Sequence, residues 1–291
     1  MKVLNFGSLN LDYVYTVDHM VMAGETLASK EMHTFCGGKG LNQSIALARA
    51  GVPVYHAGLI GEEGEILLQT CAESGVNTDF IRRVSGKSGH TIIQVDRSGQ
   101  NCILLYGGAN RSMTREYVDE VLGHFAKGDM LLLQNEINLL NYIVDRACER
   151  GMEIVLNPSP YDSHLDSCDF SKISWFLLNE IEGRQLTGEK DPDRILARLG
   201  ELYPEARVVL TLGAEGSVYR YKKEQYRQGI FKVDVRDTTA AGDTFTGYFI
   251  ASILEGMPAP EGLKLAARAS AIAVSRDGAT SSIPMREEVR S

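Results

Sequence analysis

The feature that most constrains the fold is an alternation of short apolar runs and longer helix-like runs in the second half of the chain. Strands are predicted at residues 130–134, 153–157, 173–178 and 207–211, and helices at 138–150 and 192–202. Strands that alternate with helices form parallel sheets, because a parallel return needs a crossover long enough to hold a helix. The sequence therefore predicts an α/β fold, a doubly wound and mostly parallel sheet flanked by helices.

The first half of the chain shows the same alternation less regularly. Strands are predicted at residues 3–6 and 54–59, and helices at 38–51 and 65–74. We find no repeat, low-complexity tract or long linker in the sequence. A single domain spanning residues 1–291 is therefore expected.

Two segments interrupt this alternation. Residues 13–35 alternate polar and apolar side chains without a helical period, and residues 90–106 have the pattern of a β-hairpin. We expect these excursions, about residues 11–36 and 88–107, to meet as a small β lid that excludes water from an active site. The alternative is two unrelated surface hairpins.

Composition excludes several classes of protein. The formal net charge of −8 argues against a nucleic-acid partner, and no apolar run is long enough to span a membrane. The chain begins without the pattern of a signal peptide, and its five cysteines are scattered without a C-x-x-C pair. A reducing cytoplasm is the expected location, and a zinc site is not expected.

The segment Asp237–Gly247, with the sequence DTTAAGDTFTG, carries the strongest chemical signal. It follows a strand-like run at 229–235 and precedes a helix-like run at 248–254. Small residues before a helix let several main-chain N–H groups converge on an anion. Asp243 lies beside that position, and an anion cradle with a neighbouring base is what phosphoryl transfer to a hydroxyl requires. The alternative is an ordinary capped helix after a tight turn.

A glycine-rich segment, Cys36–Gln43, precedes the first predicted helix. Lys39 and Asn42 lie three residues apart and so face one pocket, where their donors and acceptor suit a polyol. The segment lacks the lysine and hydroxyl pair that follow the last glycine of a Walker A loop. The alternative is a plain loop with a solvated lysine.

Polar side chains follow several predicted strands, where ligands of doubly wound folds bind. Asn10 and Asp12 follow the first strand and are placed to hold sugar hydroxyls, and Glu136 follows a later one. Asn179 and Glu182 share a helix face suited to phosphate and hydrated magnesium. Helix capping is the alternative for Glu136, Asn179 and Glu182. No G-x-G-x-x-G motif is present, which argues against a dinucleotide-dependent oxidoreductase.

Taken together, these motifs resemble the ribokinase (PfkB-type) family of carbohydrate kinases over essentially the whole chain. The matching segments are Gly37–Gln43, Asn179-x-x-Glu182, Thr211–Gly216, Asp237–Gly247 and Ala271–Ala279, with Ser282-Ile-Pro284 close behind. Ala240 departs from many members of the family, which carry glycine there. The resemblance implies an ATP-dependent kinase that phosphorylates D-ribose on its 5-hydroxyl.

The resemblance also implies a role for each matching residue. Asp243 would be the base, beside an anion hole formed by Ala240, Ala241 and Gly242. The sugar would be held by Asn10, Asp12, Gly38, Lys39, Asn42, Glu136 and Asp243. ATP would be bound by Asn179, Thr211, Gly213, Gly216 and Gly242, with Glu182 orienting Mg²⁺ through water. A potassium ion would be bound, mostly by main-chain carbonyls, at Asp237, Thr239, Ala273, Arg276, Gly278 and Ser282.

Two alternative functions stay open on the sequence alone. One is another kinase of the same family that acts on fructose, a sugar acid or a nucleoside. The other is a catalytically silent sugar-binding relative, although Asp243, the small-residue turn and Glu182 together argue against it. The expected partners are a small-molecule sugar, ATP and a second copy of the chain bound through the lid.

Overall fold

The structure of the protein is a computed structural model that describes residues 1–290. Within this range the chain forms thirteen strands: β1 Val3–Phe6, β2 Asn10–Thr16, β3 Glu31–Gly37, β4 Val54–Ile60, β5 Asn77–Arg83, β6 Gly89–Val95, β7 Asn101–Tyr106, β8 Met130–Gln134, β9 Glu153–Asn157, β10 Trp175–Asn179, β11 Arg207–Thr211, β12 Ser217–Tyr221 and β13 Glu224–Gln228. The α-helices of the same range are α1 Lys39–Arg49, α2 Glu65–Glu73, α3 Arg115–Leu122, α4 Leu140–Glu149, α5 Glu180–Thr187, α6 Pro192–Leu202, α7 Ala241–Leu254, α8 Ala259–Val274 and α9 Arg286–Arg290.

Nine of the strands form one large sheet in the order β13-β12-β11-β10-β9-β8-β1-β4-β5. Every neighbouring pair from β11 to β5 is parallel, and only β12 and β13 run antiparallel at one edge. The predicted doubly wound, mostly parallel sheet is therefore confirmed.

The core lies on both faces of this sheet, because successive side chains of a strand point to opposite sides. In β8, Leu131 and Leu133 pack with α3, α4 and α6 on one face. Met130 and Leu132 pack with α1, α2, α7 and α8 on the other. Burial on both faces explains why this strand is apolar without a break, the pattern that identified it in the sequence.

The remaining four strands form a second sheet in the order β3-β2-β6-β7. β2 pairs antiparallel with β3 and parallel with β6, and β6 pairs antiparallel with β7. The two β excursions of the sequence thus meet in one small sheet. Its action as a lid over the active site stays a prediction.

The strand-like run predicted at residues 229–235 is wrong. The chain pairs residues 217–221 with 224–228 as an antiparallel hairpin and leaves the sheet after Gln228. Residues 230–235 are irregular, and Ile230, Val233 and Val235 are partly exposed along the wall of a cavity. Their apolar alternation reflects that cavity wall and not strand pairing. Within residues 1–290, no helix is both long and apolar enough to cross a bilayer.

Candidate active site

The predicted site residues lie around the carboxyl ends of β1, β8, β10 and β11 and the N-termini of α1, α5 and α7. A cavity of about 240 Å³ at this edge is lined by Lys39, Asn179, Glu182 and the turn from Ala240 to Asp243. The large sheet therefore gathers residues from the separate sequence motifs at one place, as expected for a doubly wound fold.

Asp243 is the central carboxylate of this site. It lies in the first turn of α7 and is only 7% exposed. Asn42 Nδ2 donates to its Oδ2 at 2.9 Å, and Gln43 Nε2 donates to its Oδ1 at 2.8 Å. The carboxylate is therefore held from both sides by neutral amides of α1.

Close packing of α1 against α7 brings these groups together. Gly247 lies one helical turn after Asp243, and a Cβ atom added to it would approach the Ala46 Cβ to 2.4 Å. Glycine at this position lets the two helix backbones approach each other, so that Asn42 and Gln43 reach Asp243.

The turn before α7 is the predicted anion site. Ala240 adopts a left-handed backbone with φ 59°, and α7 begins without a side-chain cap. No atom lies within 4 Å of a Cβ added at Gly242, so there is space above its main chain. One predicted donor is already engaged, because Ala241 N–H donates to Thr238 O at 3.2 Å.

The predicted sugar residues come from both sheets. Asn10 Oδ1 accepts from Asn110 Nδ2 at 2.7 Å, and Asp12 Oδ1 accepts from Thr91 Oγ1 at 2.5 Å. Gly38, with φ 95°, is the N-cap of α1, where an added Cβ would lie 3.0 Å from Ser8 Oγ. The backbone of the glycine-rich loop therefore passes close to the end of β1.

Three charged groups among the predicted sugar residues have perturbed pKa values. Burial raises the pKa of Asp12 to about 6, and the nearby Glu136 carboxylate adds to this, while the Thr91 hydrogen bond opposes it. Burial also raises the pKa of Glu136, which accepts from Ser8 Oγ and from Lys39 N–H. Burial lowers the pKa of Lys39, but the carboxylates of Asp243, Glu136 and Glu182 outweigh it and raise the pKa overall.

Asn179 and Glu182 form a capping box at the start of α5. Asn179 Oδ1 accepts from Glu182 N–H at 2.9 Å, and Glu182 Oε2 accepts from Asn179 N–H at 3.0 Å. The capping arrangement considered from the sequence is thus present, and it places both side chains in the cavity that contains Asp243. A capping carboxylate keeps lone pairs for further donors, so capping and ligand binding are compatible.

A metal ion at this site would be held indirectly. Among residues 1–290, no group of three or more His, Cys, Asp or Glu side chains is placed to hold an ion. Mg²⁺ retains several waters and binds through one or two carboxylates together with substrate phosphates. Glu182, next to Asn179 in a cavity with polar walls, fits that mode of binding.

A second cavity of about 580 Å³ adjoins the first. Thr211, Gly213 and Gly216 line one side, and residues 230–235 and part of α8 line the others. Its wall is mainly apolar, which suits a flat ring system. Thr211, Thr238, Ala241, Gly242 and Phe245 line both cavities, so the two spaces meet at the turn before α7.

The residues predicted to hold potassium lie in two segments joined by the Asp237 side chain. Its carboxylate accepts from Thr239 N–H at 2.9 Å and from Gly278 N–H at 3.0 Å. Burial acts to raise the pKa of Asp237, but the hydrogen bond from the Thr239 hydroxyl, together with these two N–H groups, outweighs it and lowers the pKa. The Arg276 side chain binds Glu288 at 2.5 Å and is thus engaged with α9. The remaining predicted positions lie in the segment that contains Gly278. Ala273 is the last residue but one of α8, and Ser282 Oγ donates to Ala279 O at 2.8 Å.

Sequence reasoning gave no role to three residues that contact the site. Gln43 contacts Asp243, Thr91 contacts Asp12, and Asn157 accepts from Gln43 at 2.9 Å. Asn157 ends β9, so the strand-end rule would have identified it. The contacts of Gln43 and Thr91 depend on helix packing and on strand register, which no local pattern reveals.

Comparison with known proteins places the chain among sugar kinases. The family model described as pfkB family carbohydrate kinase matches residues 1–286. The chain is 36% identical to the ribokinase of Haemophilus influenzae, over 97% of this chain and 95% of that protein. The crystal structure of the ribokinase of Thermotoga maritima has a TM-score of 0.89 and 33% identity, covering 99% of this chain and 97% of that one. The structure of the ribokinase of Arabidopsis thaliana complexed with ribose and ATP has a TM-score of 0.88 and 28% identity, covering 99% and 97%.

Proposed function

The chain belongs to the pfkB family of carbohydrate kinases, and from this premise we propose that it transfers the terminal phosphoryl group of ATP to the 5-hydroxyl of D-ribose. The observation that carries the proposal is Asp243, a buried carboxylate at a helix N-terminus where two cavities meet. The polar cavity, lined by Lys39, Asn179 and Glu182, fits the phosphates of a nucleotide next to Asp243, and the apolar cavity fits its base. The predicted sugar residues Asn10, Asp12 and Glu136 lie outside the lining of both cavities. The ribose and ATP named for the Arabidopsis relative support a sugar and a nucleotide as the two substrates.

Asp243 would act as the general base. Its carboxylate takes the proton of the attacking hydroxyl as the sugar oxygen forms its bond to the terminal phosphorus. The bond between that phosphorus and the bridging oxygen breaks, and ADP leaves. Asn42 and Gln43 orient the carboxylate, since both donate to it.

Electrostatic stabilisation would supply most of the rate acceleration. The transferring group spreads negative charge over three oxygens, and main-chain N–H groups of Ala240–Gly242 at the start of α7 would face it once Ala241 N–H leaves Thr238 O. Lys39 lines the cavity that contains Asp243 and carries positive charge there. Bound Mg²⁺ supplies further charge neutralisation on the phosphates, and Glu182 with Asn179 would hold it through water.

We further propose a potassium site at the two segments bridged by Asp237. The Asp237 carboxylate ties residue 239 to residue 278, which brings the main chains of both segments together. Main-chain carbonyls coordinate alkali cations whatever the side chain, and the Arg276 side chain is occupied by Glu288. A cation here would lie beside the turn that forms the anion hole.

A second copy of the chain is the proposed partner of the small sheet. The edge strand of the small sheet, β7, carries four apolar or aromatic side chains that are each more than 40% exposed: Ile103, Leu104, Leu105 and Tyr106. An exposed apolar edge strand is a surface that proteins normally cover. Homodimerisation through this sheet would cover it. The five free cysteines accord with a reducing cytoplasm as the location.

One assay tests the proposed activity. ADP release is measured with ATP and a panel of D-ribose, 2-deoxyribose, fructose, a sugar acid and nucleosides, each with potassium, with sodium and without either. We expect the highest kcat/KM with D-ribose and activation by potassium. A different best acceptor would reassign the substrate within the family, and equal activity in potassium-free buffer would refute the cation site.

A further inference from the structure

A continuous line of buried side-chain amides runs from Asp243 into the protein core beneath α1. Its members are Gln43, Gln134 and Asn5, each no more than 1% exposed. They come from α1, β8 and β1, so the line joins two neighbouring strands of the large sheet to the active site. None of the three lines either cavity described above.

Gln43 uses all its polar groups in this network. Its Nε2 donates to Asp243 Oδ1 at 2.8 Å and to Asn157 Oδ1 at 2.9 Å. Its Oε1 accepts from Gln134 Nε2 at 2.6 Å. A side-chain amide has two donor hydrogens and an acceptor oxygen, so the orientation of Gln43 is determined on both sides.

Main-chain carbonyls, which only accept, determine which amide of the line donates and which accepts at each hydrogen bond. Asn5 Nδ2 donates to Gly40 O at 2.8 Å, so Asn5 must turn its oxygen towards Gln134. Gln134 Nε2 then donates to Asn5 Oδ1 at 3.1 Å and, through its other hydrogen, to Gln43. Asn157 is oriented in the same way, because its Nδ2 donates to Leu177 O at 2.9 Å.

A branch of the line ends at a second main-chain carbonyl. Asn5 Nδ2 also donates to Ser44 Oγ, which lies 2.8 Å from His56 Nδ1, and His56 Nε2 lies 3.2 Å from Gly7 O. Burial lowers the pKa of His56 to about 4, so the ring is neutral. The ring therefore donates from Nε2 to Gly7 O and accepts at Nδ1 from Ser44, which agrees with the direction set by Asn5.

The unpaired oxygen of Gln134 supports the same direction. Gln134 Oε1 is buried without a hydrogen-bond partner, whereas its Nε2 has two. Turning this amide over would place its oxygen against those of Gln43 and Asn5. Its neighbours therefore determine its orientation.

We infer that Gln43 is a positioning residue for Asp243 and that Gln134 and Asn5 hold Gln43 in its donating orientation. Without Gln134, Gln43 Oε1 loses its donor, and the amide is held only from its Nε2 side by Asp243 and Asn157. The Gln43 amide would then be less firmly fixed, and the carboxylate would be less precisely placed for proton abstraction. This inference rests on the proposed role of Asp243 as the base.

The test compares two near-isosteric substitutions that remove the amides, Gln43→Met and Gln134→Met. We expect Gln43→Met to lower kcat about 10- to 100-fold, because a small misplacement of a catalytic group is costly. Gln134→Met, which touches neither cavity, should lower kcat about 3- to 10-fold. KM for sugar and for ATP should stay within about twofold, since the substrate contacts are intact.

The double variant tests whether the two residues act in series. Gln43→Met combined with Gln134→Met should have the kcat of Gln43→Met alone, because Gln134 acts only through Gln43. Ser252→Ala is the matched control, since Ser252 is buried on α7 and donates only to Phe249 O. Its kcat should equal that of the unmodified protein, and thermal unfolding of each variant reports folding.

Asp243→Asn, measured in parallel, separates the proposed role of Asp243 as base from the positioning role of Gln43. If Asp243→Asn keeps its turnover, the proposed base is wrong. If Asp243→Asn loses turnover while Gln43→Met stays within twofold of the unmodified protein, the positioning role alone is overturned. Effects that multiply in the double variant overturn the serial arrangement. If Gln43→Met does not fold, Gln134→Met decides: a lower kcat at unchanged KM supports the inference, and an unchanged kcat refutes it.

Discussion

The two sheets of this protein are packed in opposite ways. In the large sheet, β8 is buried at every residue and is covered by helices on both faces. In the small sheet, β7 is exposed at every residue and the first five residues of β3 are exposed as well. Packing on two faces fixes the groups at the ends of the large sheet, whereas the strands of the small sheet are joined by main-chain pairing and by side-chain contacts such as Asp12 with Thr91.

This difference suggests a division of labour between the sheets. The proposed base and the proposed anion turn belong to the elements packed on the large sheet, and some of the predicted sugar residues belong to the small one. Changes near the large sheet should therefore act on kcat and stability. Changes in the small sheet should act on sugar KM and on association, and each prediction below tests one side of this comparison.

The largest effect is expected at Asp243. Asp243→Asn should lower kcat by about 10² or more, because the amide cannot accept the hydroxyl proton. Sugar affinity should change little, since the side chain keeps its size. Steady-state kinetics with calorimetric measurement of sugar binding checks both values. Turnover within tenfold of the unmodified protein would remove Asp243 from the role of base.

The next largest effect concerns the packing of α1 on α7. Gly247→Ala would place a methyl group 2.4 Å from the Ala46 Cβ, so the helices must separate. We expect a loss of about 1–3 kcal/mol in the free energy of unfolding, as is usual for overpacking. Urea denaturation measures it, with Gly229→Ala as the control because no atom lies within 4 Å of a Cβ at that position. Equal stability of the two variants would argue against tight packing here.

A moderate effect is expected for the contact between Thr91 and Asp12. An ionised Asp12 can accept from two sugar hydroxyls, so sugar KM should rise as the pH falls below about 6, where this carboxyl becomes protonated. The Thr91 hydrogen bond lowers the pKa of Asp12, and Thr91→Val removes it without changing the shape. The rise in KM should then begin at a higher pH, with kcat unchanged. KM measured from pH 5 to 8 in both proteins checks this shift, and superimposable profiles would contradict it.

The smallest effect on turnover is expected at the outer edge of the small sheet. Leu104 is 67% exposed on β7, and Leu104→Lys should convert a dimer to a monomer while kcat changes less than about twofold. Leu202→Lys, at the exposed end of α6, is the control for an added charge. Sedimentation at micromolar concentration measures both. A monomeric unmodified protein would show that the small sheet is not the dimer surface.

Most of the large sheet could be predicted from the sequence. The apolar runs at 130–134, 153–157 and 207–211 coincide with β8, β9 and β11, because buried parallel strands need apolar side chains on both faces. The strand predicted at 229–235 is absent, and local pattern cannot distinguish a strand from a chain that lines a cavity. The sheet ends before this run because β12 and β13 pair as a hairpin at its edge.

The site was partly predictable for the same reason. Asn10, Glu136 and Asn179 lie beside strand ends, where the sequence pattern predicts candidate ligand residues. The contact of Gln43 with Asp243 joins residues 200 positions apart and arises from the close approach of two helices. No spacing in the sequence encodes that approach, although the glycine at 247 permits it.

Ala240 has a consequence for how the protein meets its nucleotide. A left-handed backbone with φ 59° is strained for alanine and relaxed for glycine, so the methyl group costs roughly 1 kcal/mol in the folded state. The same methyl removes most of the other conformations that glycine would allow, in the folded turn and in the unfolded chain alike. The main chain of the proposed anion turn is thus set before phosphate arrives, and the exchange still needed is that of Ala241 N–H, which donates to Thr238 O.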